Sequence, residues 1–248
     1  MAHGVTTGPR AGDAPPASTP PARTTSFRRG DVFVLLSGVL AAAANCAFLF
    51  RAVSASRLDP VNSMISELEV PGQPLSWFFR GASLLSGLAA LVFAVGLRPR
   101  IPAGRLGQAG CVALALFGLA GATDALLPMD CAPSASVVCL RADMDGPMSW
   151  PYQAHTWFDV AGSVAVLASL WLLGRHLVQH PEWRRASAIT RAGFAGLAAV
   201  SVVLTVMSAR YLPGVGVVQR VEVLGVSVWL LVLALSVRRR PAGAASPA

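Results

Sequence analysis

The stretch from Asp124 to Asp159 organises this chain, and it reads DALLPMDCAPSASVVCLRADMDGPMSWPYQAHTWFD. It begins where one apolar segment ends, runs through a polar loop that contains Cys131 and Cys139, and meets a second apolar segment near His155. Polar residues are therefore gathered between two long apolar runs. We interpret the stretch as a polar mouth between two membrane-spanning helices, with the rest of the chain as scaffold around it.

The composition predicts a membrane protein. Hydrophobic residues make up 54% of the chain, charged residues 13%, and the mean hydropathy is +0.58, whereas a soluble domain carries about a quarter charged residues. Six windows are apolar over the roughly 20 residues that a bilayer requires. They lie near 31–53, 75–97, 107–127, 153–174, 187–209 and 217–237. Because backbone groups in hydrocarbon must pair within their own segment, the windows predict an all-α fold, a bundle of six transmembrane helices.

The positions of the arginines predict the orientation of the bundle. All 20 basic residues are arginine, and the net charge is +8. With six spans and both termini on one side, 14 arginines fall on that side and 6 on the other. The positive-inside bias therefore predicts cytoplasmic termini in a bacterial plasma (inner) membrane. It also accounts for the net charge without a nucleic-acid partner.

The two chain ends predict tails rather than folded structure. Residues 1–29 are rich in Pro, Ala, Thr and Gly and hold almost no large apolar side chain, which predicts a disordered cytoplasmic tail. The transmembrane domain is expected over 30–238, and residues 239–248 form a second cytoplasmic tail.

The first outer loop predicts a short helix. Asp59 followed by Pro60 is typical of a helix start. Its apolar side would carry Val61, Met64, Ile65 and Leu68. We expect this helix to lie on the membrane surface as a partial lid.

Two features inside the spans predict contact between helices. Asn45 places an amide in the first apolar window, and such a group is expected to hydrogen-bond to a neighbouring helix. Ser83 and Gly87 form a pair of small residues four apart, which permits two helices to approach closely.

Cys131 and Cys139 predict a disulfide. Both fall in an outer loop in the predicted topology, with Pro133 between them. Disulfides persist outside the cytosol, and in the chain-entropy model a loop this small gains about 2–3 kcal/mol. Two zinc thiolates are the alternative, although a second pair of ligands is missing.

The acidic and histidine side chains near the mouth are the candidate functional residues. His155 and Asp159 are four residues apart, which places them on one face of a helix. Asp159 lies within the apolar layer, where an ionisable group is a functional candidate. The predicted pocket contains Asp124, His155, Asp159, Arg80, Glu67, Ser66, Glu222 and Arg210.

Three hypotheses fit this cluster. In the first, His155 and Asp159 form a hydrogen-bonded pair, Arg80 neutralises Asp124 or Asp159, and the residues only fix packing. In the second, they line a cavity that binds a lipid head group or small amphiphile, with Arg80 or Arg210 on a phosphate and His155 as a donor. In the third, Asp124, His155 and Asp159 hold zinc or manganese, whose bound water attacks an ester or amide.

Several short motifs also occur along the spans. They are Ser66-Glu67-Leu68, Pro74, Gly81 and Gly87, Asp124 at the end of the third window and His155 at the start of the fourth. Over roughly residues 30–238 they resemble the bacterial membrane family called domain of unknown function 998. The resemblance implies a six-helix architecture and directs attention to Ser66, Glu67, Asp124 and His155, without giving any of them a role. Glu69 and Val70 depart from the family pattern, which has a Gly-rich continuation there.

We expect a non-enzymatic function, in which a lipid or small amphiphile binds in or moves through a polar pocket at the outer leaflet, without a cofactor. One alternative is a metal-dependent intramembrane hydrolase with zinc or manganese. Another is a structural or regulatory partner of a second membrane protein. The expected partners are membrane lipids, and no sequence feature indicates a nucleotide loop, a haem site or a nucleic-acid surface.

Overall fold

The chain folds into α-helices, as the sequence predicts. In the computed structural model the described residues are 1–4, 29–146 and 148–237, with Val53 described by its backbone alone, and within them there are seven α-helices and no strand. The helices are α1 (Arg29–Asn45), α2 (Ser76–Leu97), α3 (Arg105–Asp124), α4 (Val137–Asp145), α5 (Trp150–Leu177), α6 (Arg184–Ala209) and α7 (Val215–Val237). The predicted tails lie outside the described residues, apart from 1–4 and the first residue of α1.

Six of these helices are long and apolar enough to cross a membrane, and α4 is the exception. All six predicted spans are therefore present. A 3₁₀ helix, Ala47–Val53, continues α1. The helix α5 is longer than predicted because Ser149 caps its start, where the Ser149 side chain accepts a hydrogen bond from the Tyr152 backbone N–H at 3.4 Å. Its 28 residues extend about 42 Å, beyond the ~30 Å hydrocarbon layer.

The six spans form a closed ring. Each span packs against the spans next to it in sequence, and α7 packs against α1, so the order around the ring is α1, α2, α3, α5, α6, α7. The helices α2 and α3 meet closely at two glycines. A Cβ on Gly87 would lie 2.4 Å from the Ala122 backbone nitrogen, and one on Gly118 would lie 2.6 Å from the Gly87 carbonyl oxygen. This contact confirms the role predicted for Gly87.

The two ends of the ring differ. The disulfide end carries the loops that follow α1, α3 and α6, and the arginine-rich end carries the loops that follow α2 and α5. The arginine-rich half is filled with apolar side chains, and Phe93, Leu173 and Trp229 are fully buried there. The Trp229 indole N–H donates to Thr190 Oγ1 at 3.1 Å. The disulfide-end half holds a cavity instead.

The first loop at the disulfide end contains less helix than the sequence predicts. Asp59 accepts hydrogen bonds from the Val61 backbone N–H at 3.0 Å and from Asn62, but only a turn follows, and then a 3₁₀ helix, Ser66–Glu69. The short helix predicted for this loop is therefore limited to Ser66–Glu69, because a backbone donor just before it bonds to a side chain. The Ile65 N–H donates to Gln219 Oε1 at 2.6 Å instead of to a carbonyl four residues earlier.

The second loop at this end carries the predicted disulfide. Cys131 and Cys139 are bonded, with 6.0 Å between their Cα atoms. Cys139 lies in α4, a helix that the sequence did not predict. Its start is fixed by Ser136, whose hydroxyl accepts a hydrogen bond from the Cys139 backbone N–H at 3.3 Å.

Candidate functional site

A cavity of about 160 Å³ lies inside the ring, in its disulfide-end half. Five spans and the first loop contribute to its wall, and among the described residues α6 contributes none. Its polar lining residues are Asn45, Ser66, Glu69, Ser83, Ser86, Asp124, Asp159, Ser163, Gln219 and Glu222. Its apolar lining includes Phe117, Phe158, Val166 and Val226. The cavity is therefore lined by both polar and apolar side chains.

The Asp124 carboxylate and the His155 imidazole meet across the contact between α3 and α5, and they form an ion pair when the imidazole is protonated. His155 Nδ1 lies 3.0 Å from Asp124 Oδ1 and also 3.0 Å from the Leu127 carbonyl oxygen. Since a carbonyl can only accept, Nδ1 must carry the proton. The Nδ1–H of His155 points towards the Leu127 carbonyl oxygen. The buried Asp124 Oδ1 therefore lies close to the imidazole but accepts no hydrogen bond of suitable geometry.

This pairing differs from the first hypothesis, in which His155 bonds to Asp159. The two side chains share the inner face of α5, as their spacing predicts, but the ion pair of His155 is with Asp124. The reason is the packing of the helices, because α3 and α5 contact each other extensively and bring Asp124 beside the ring. Asp159 lines the cavity, is exposed to it, and has no hydrogen bond or ion pair with any described residue.

The ring is loose beside Asp159. The buried residues of α6 are Ala186, Ser187, Thr190 and Leu197, all in its first part. From residue 198 to Ala209 no side chain of α6 is buried. In that half α6 remains tied to α7, because the Ser201 hydroxyl donates to Glu222 Oε1. Asp159 on α5 is likewise exposed, and no described residue of α6 borders the cavity. We infer that this half of the ring is open between α5 and α6, and we call the opening the lateral gap.

Glu69 is a cavity residue that the sequence analysis missed. It is 6% exposed and accepts a hydrogen bond from the Ser83 hydroxyl at 2.5 Å. Burial raises the pKa of Glu69 from its ordinary value of 4.5 to about 7, although the bond from Ser83 acts in the opposite direction. Its position directly after the Ser66-Glu67-Leu68 motif, where the chain departs from the family pattern, is the signal that could have identified it.

Gln219 and Asn45 are two further polar residues of the wall. Gln219 precedes Glu222 by three residues, so both project from the same face of α7. Asn45 donates from Nδ2 to Ser227 Oγ at 3.0 Å and to the Val223 carbonyl at 3.3 Å. The predicted interhelical role of Asn45 is confirmed, and the structure adds that the amide borders the cavity.

Glu67 lies outside the cavity wall and joins the two loops at the disulfide end. It is 3% exposed, and Oε2 accepts hydrogen bonds from the Ser134 backbone N–H, at 3.2 Å, and from the Ser134 hydroxyl. The Ser134 hydroxyl also lies 2.7 Å from the hydroxyl of Ser63. We call Ser63, Glu67 and Ser134 the loop latch. It fixes the segment that carries Ser66 and Glu69 into the cavity wall.

Two predicted pocket residues are arginines that do not line the cavity. Arg80 donates from Nε to the Ala125 carbonyl at 3.3 Å and forms no ion pair with a carboxylate of the described residues. Arg210 is exposed at the end of α6. The structure therefore does not place either guanidinium where the sequence analysis expected it, beside Asp124 or on a ligand phosphate in the pocket.

The alternative metal ligands Asp124, His155 and Asp159 do not form one close group in the described structure. Within the described part of the chain, no three His, Cys, Asp or Glu side chains come together in a way that could hold a metal ion. Nδ1 of His155 is already engaged by Leu127 and Asp124, and Asp159 faces the lateral gap. The hydrolase alternative, with Asp124, His155 and Asp159 as metal ligands, stays a prediction.

The helices and the cavity define the class of this protein, a multi-pass helical membrane protein with six spans. The chain belongs to the family described as "Protein of unknown function (DUF998)", whose model matches residues 35–236. The resemblance read from the sequence is thereby confirmed. No curated protein and no solved structure matches the chain.

Proposed function

We propose that this protein binds a small amphiphile in the disulfide-end cavity, as a carrier or receptor and not as an enzyme. The observation that supports the proposal is the pairing of two unlike surfaces in one cavity. Carboxylates such as Asp124 and Asp159 line the same cavity as the aromatic rings of Phe117 and Phe158. A ligand with a polar head and an apolar chain would satisfy both surfaces.

The lateral gap supports access from the membrane. A cavity of about 160 Å³ corresponds to roughly five waters at ~30 Å³ each, which is enough for a small head group and the first part of a chain. The remainder of a longer chain would extend between α5 and α6, where side chains from residue 198 to Ala209 are not buried. Such a ligand keeps its apolar part in hydrocarbon while its head reaches Asp159.

The distribution of arginine and the disulfide support one side of the membrane for the cavity. The positive-inside bias puts the arginine-rich end in the cytoplasm. The bond between Cys131 and Cys139 agrees with this orientation, since disulfides persist outside the cytosol. The ligand would accordingly be taken from the outer leaflet of a bacterial plasma membrane.

A pair of glycine substitutions tests the proposal. At Gly121 a Cβ would have only the Gly87 Cα within 4 Å, at 3.9 Å, and the residue borders the cavity, so Gly121→Leu should fill part of it. Gly196 on α6 has nothing within 4 Å of a Cβ and does not border the cavity, which makes Gly196→Leu the matched control. Both changes put the same side chain into a helix.

The measurement is photocrosslinking with a diazirine-bearing alkyl alcohol in lipid nanodiscs, followed by peptide mass spectrometry. We expect labelled peptides from α3 and α5 in the wild type and in Gly196→Leu. Gly121→Leu should lose most of this labelling. Equal labelling of these peptides in all three proteins, or none in the wild type, contradicts the proposal.

A further inference from the structure

We infer that the head group taken by this cavity is an organic cation with N–H donors, that is, a protonated amine on an apolar chain. This inference rests on the proposed function and adds the chemical class of the ligand. It departs from the phosphate head group expected from Arg80 and Arg210, because neither arginine lines the cavity.

The cavity wall contains acidic groups from four separate parts of the chain. Glu69 comes from the first loop, Asp124 from α3, Asp159 from α5 and Glu222 from α7. Among the described lining residues there is no arginine or lysine. Within the described structure His155 is the one basic side chain within salt-bridge distance of any of these four acids, and its partner is Asp124; the charge of Arg80 also acts on Glu69 from farther away.

The protein does not supply enough donors for these oxygens. Glu69 and Glu222 each accept one hydrogen bond from a serine hydroxyl. The buried Oδ1 of Asp124 has no aligned donor, and no described residue donates to Asp159. An anionic head would add more acceptors to this surplus, whereas an ammonium group brings three donors and the opposite charge.

The same geometry distinguishes an organic cation from a metal ion. No three of the acids or histidines in the described chain form a group that could hold a metal. The oxygens border a cavity of about 160 Å³ whose wall also contains apolar side chains, among them Phe117, Phe158 and Val226. A bare ion would leave that volume and those side chains without a partner, while an alkylamine fills both.

Asp159 is the residue expected to contact the head group first. It faces the cavity beside the lateral gap, and it has no internal partner among the described residues to displace. Asp159→Asn keeps the shape of the side chain and removes its charge. Glu222→Gln is a second variant of the same kind, and Asp145→Asn is the control, since Asp145 is exposed on α4, outside the cavity.

The experiment is competition against the diazirine alcohol by octylamine, octanol and octyl phosphate, which share one chain and differ in head group. We expect octylamine to halve labelling at a concentration about 10-fold below that of octanol, and octyl phosphate to compete least. Asp159→Asn or Glu222→Gln should reduce the advantage of octylamine at least threefold without weakening octanol, and Asp145→Asn should change neither.

The outcomes separate the two proposals. If octanol or octyl phosphate competes as well as octylamine, the cationic head group is wrong although amphiphile binding stands. If both acidic variants keep the full preference for octylamine, the assignment to these carboxylates is wrong. If the wild type is not labelled and no compound competes, the proposed function is wrong, and the cationic head group, which depends on it, is wrong as well.

Discussion

Removing the acceptor of the loop latch should loosen the first loop without unfolding the bundle. Glu67→Ala deletes the carboxylate that accepts from the Met64 N–H at 3.1 Å, from the Ser134 N–H at 3.2 Å and from the Ser134 hydroxyl. Each buried donor left unpaired costs about 1–3 kcal/mol. For the two backbone donors, part of which water can regain, we expect the free energy of local opening to fall by about 3 kcal/mol.

Hydrogen exchange of the loop measures this change directly. A fall of about 3 kcal/mol corresponds to roughly 100-fold faster exchange of the amides in residues 63–70. The amides of α2 and α3 should keep their protection. The matched control is Glu182→Ala at the arginine-rich end, where the side chain is 48% exposed and contacts His180 at 3.9 Å. We expect less than a twofold change there.

If Glu67→Ala speeds the exchange of residues 63–70 by less than about threefold, the loop latch does not hold this loop closed. A loss of protection in α2 to the same extent would also contradict the prediction, since the effect would then be global. The first outcome means that the latch carries little energy. The second means that Glu67 stabilises the bundle as a whole.

Three other changes have expected outcomes. The raised pKa of Glu69 means that burial favours its protonated form. The free energy of unfolding should therefore be highest below pH 4.5 and fall by on the order of 3 kcal/mol as pH rises through about 7. Thermal unfolding in detergent should show this pH dependence for the wild type and not for Glu69→Gln. Replacing Cys131 and Cys139 by serine should remove about 2–3 kcal/mol of loop constraint and speed exchange around the loop latch, and unchanged exchange would disprove that link. Gly87→Ala should abolish a monodisperse product, because its Cβ would lie 2.4 Å from a backbone nitrogen, whereas Gly81→Ala, with nothing within 4 Å, should purify normally; size-exclusion profiles that do not differ would contradict the tight contact.

The spans could be predicted from the sequence because lipid imposes one requirement on every residue of a long segment. A run of apolar residues must form a helix there, and no information from distant residues is needed. Asp159 could be identified because a charged side chain is unusual at its depth in the apolar helix α5. The bond between Cys131 and Cys139 could be predicted from their short separation and their side of the membrane.

The partners within the site could not be predicted in this way. The spacing of His155 and Asp159 indicated a shared face, but the contact of His155 with Asp124 depends on how α3 and α5 pack. Glu69 and Gln219 come together because the first loop folds over the bundle and the Ile65 N–H bonds to Gln219. Periodicity within one segment carries no information about such contacts between loop and helix.

The most direct test of the account is whether an amphiphile in the membrane reaches Asp159. Dicyclohexylcarbodiimide, a lipophilic reagent for carboxyl groups, can be applied to the protein in nanodiscs and the product located by mass spectrometry. We predict an N-acylurea on Asp159 that Gly121→Leu reduces and that octanol suppresses; octanol is the competitor because an amine would itself consume the activated carboxyl group. An unmodified Asp159, or modification that neither octanol nor Gly121→Leu affects, would contradict an amphiphile cavity open between α5 and α6.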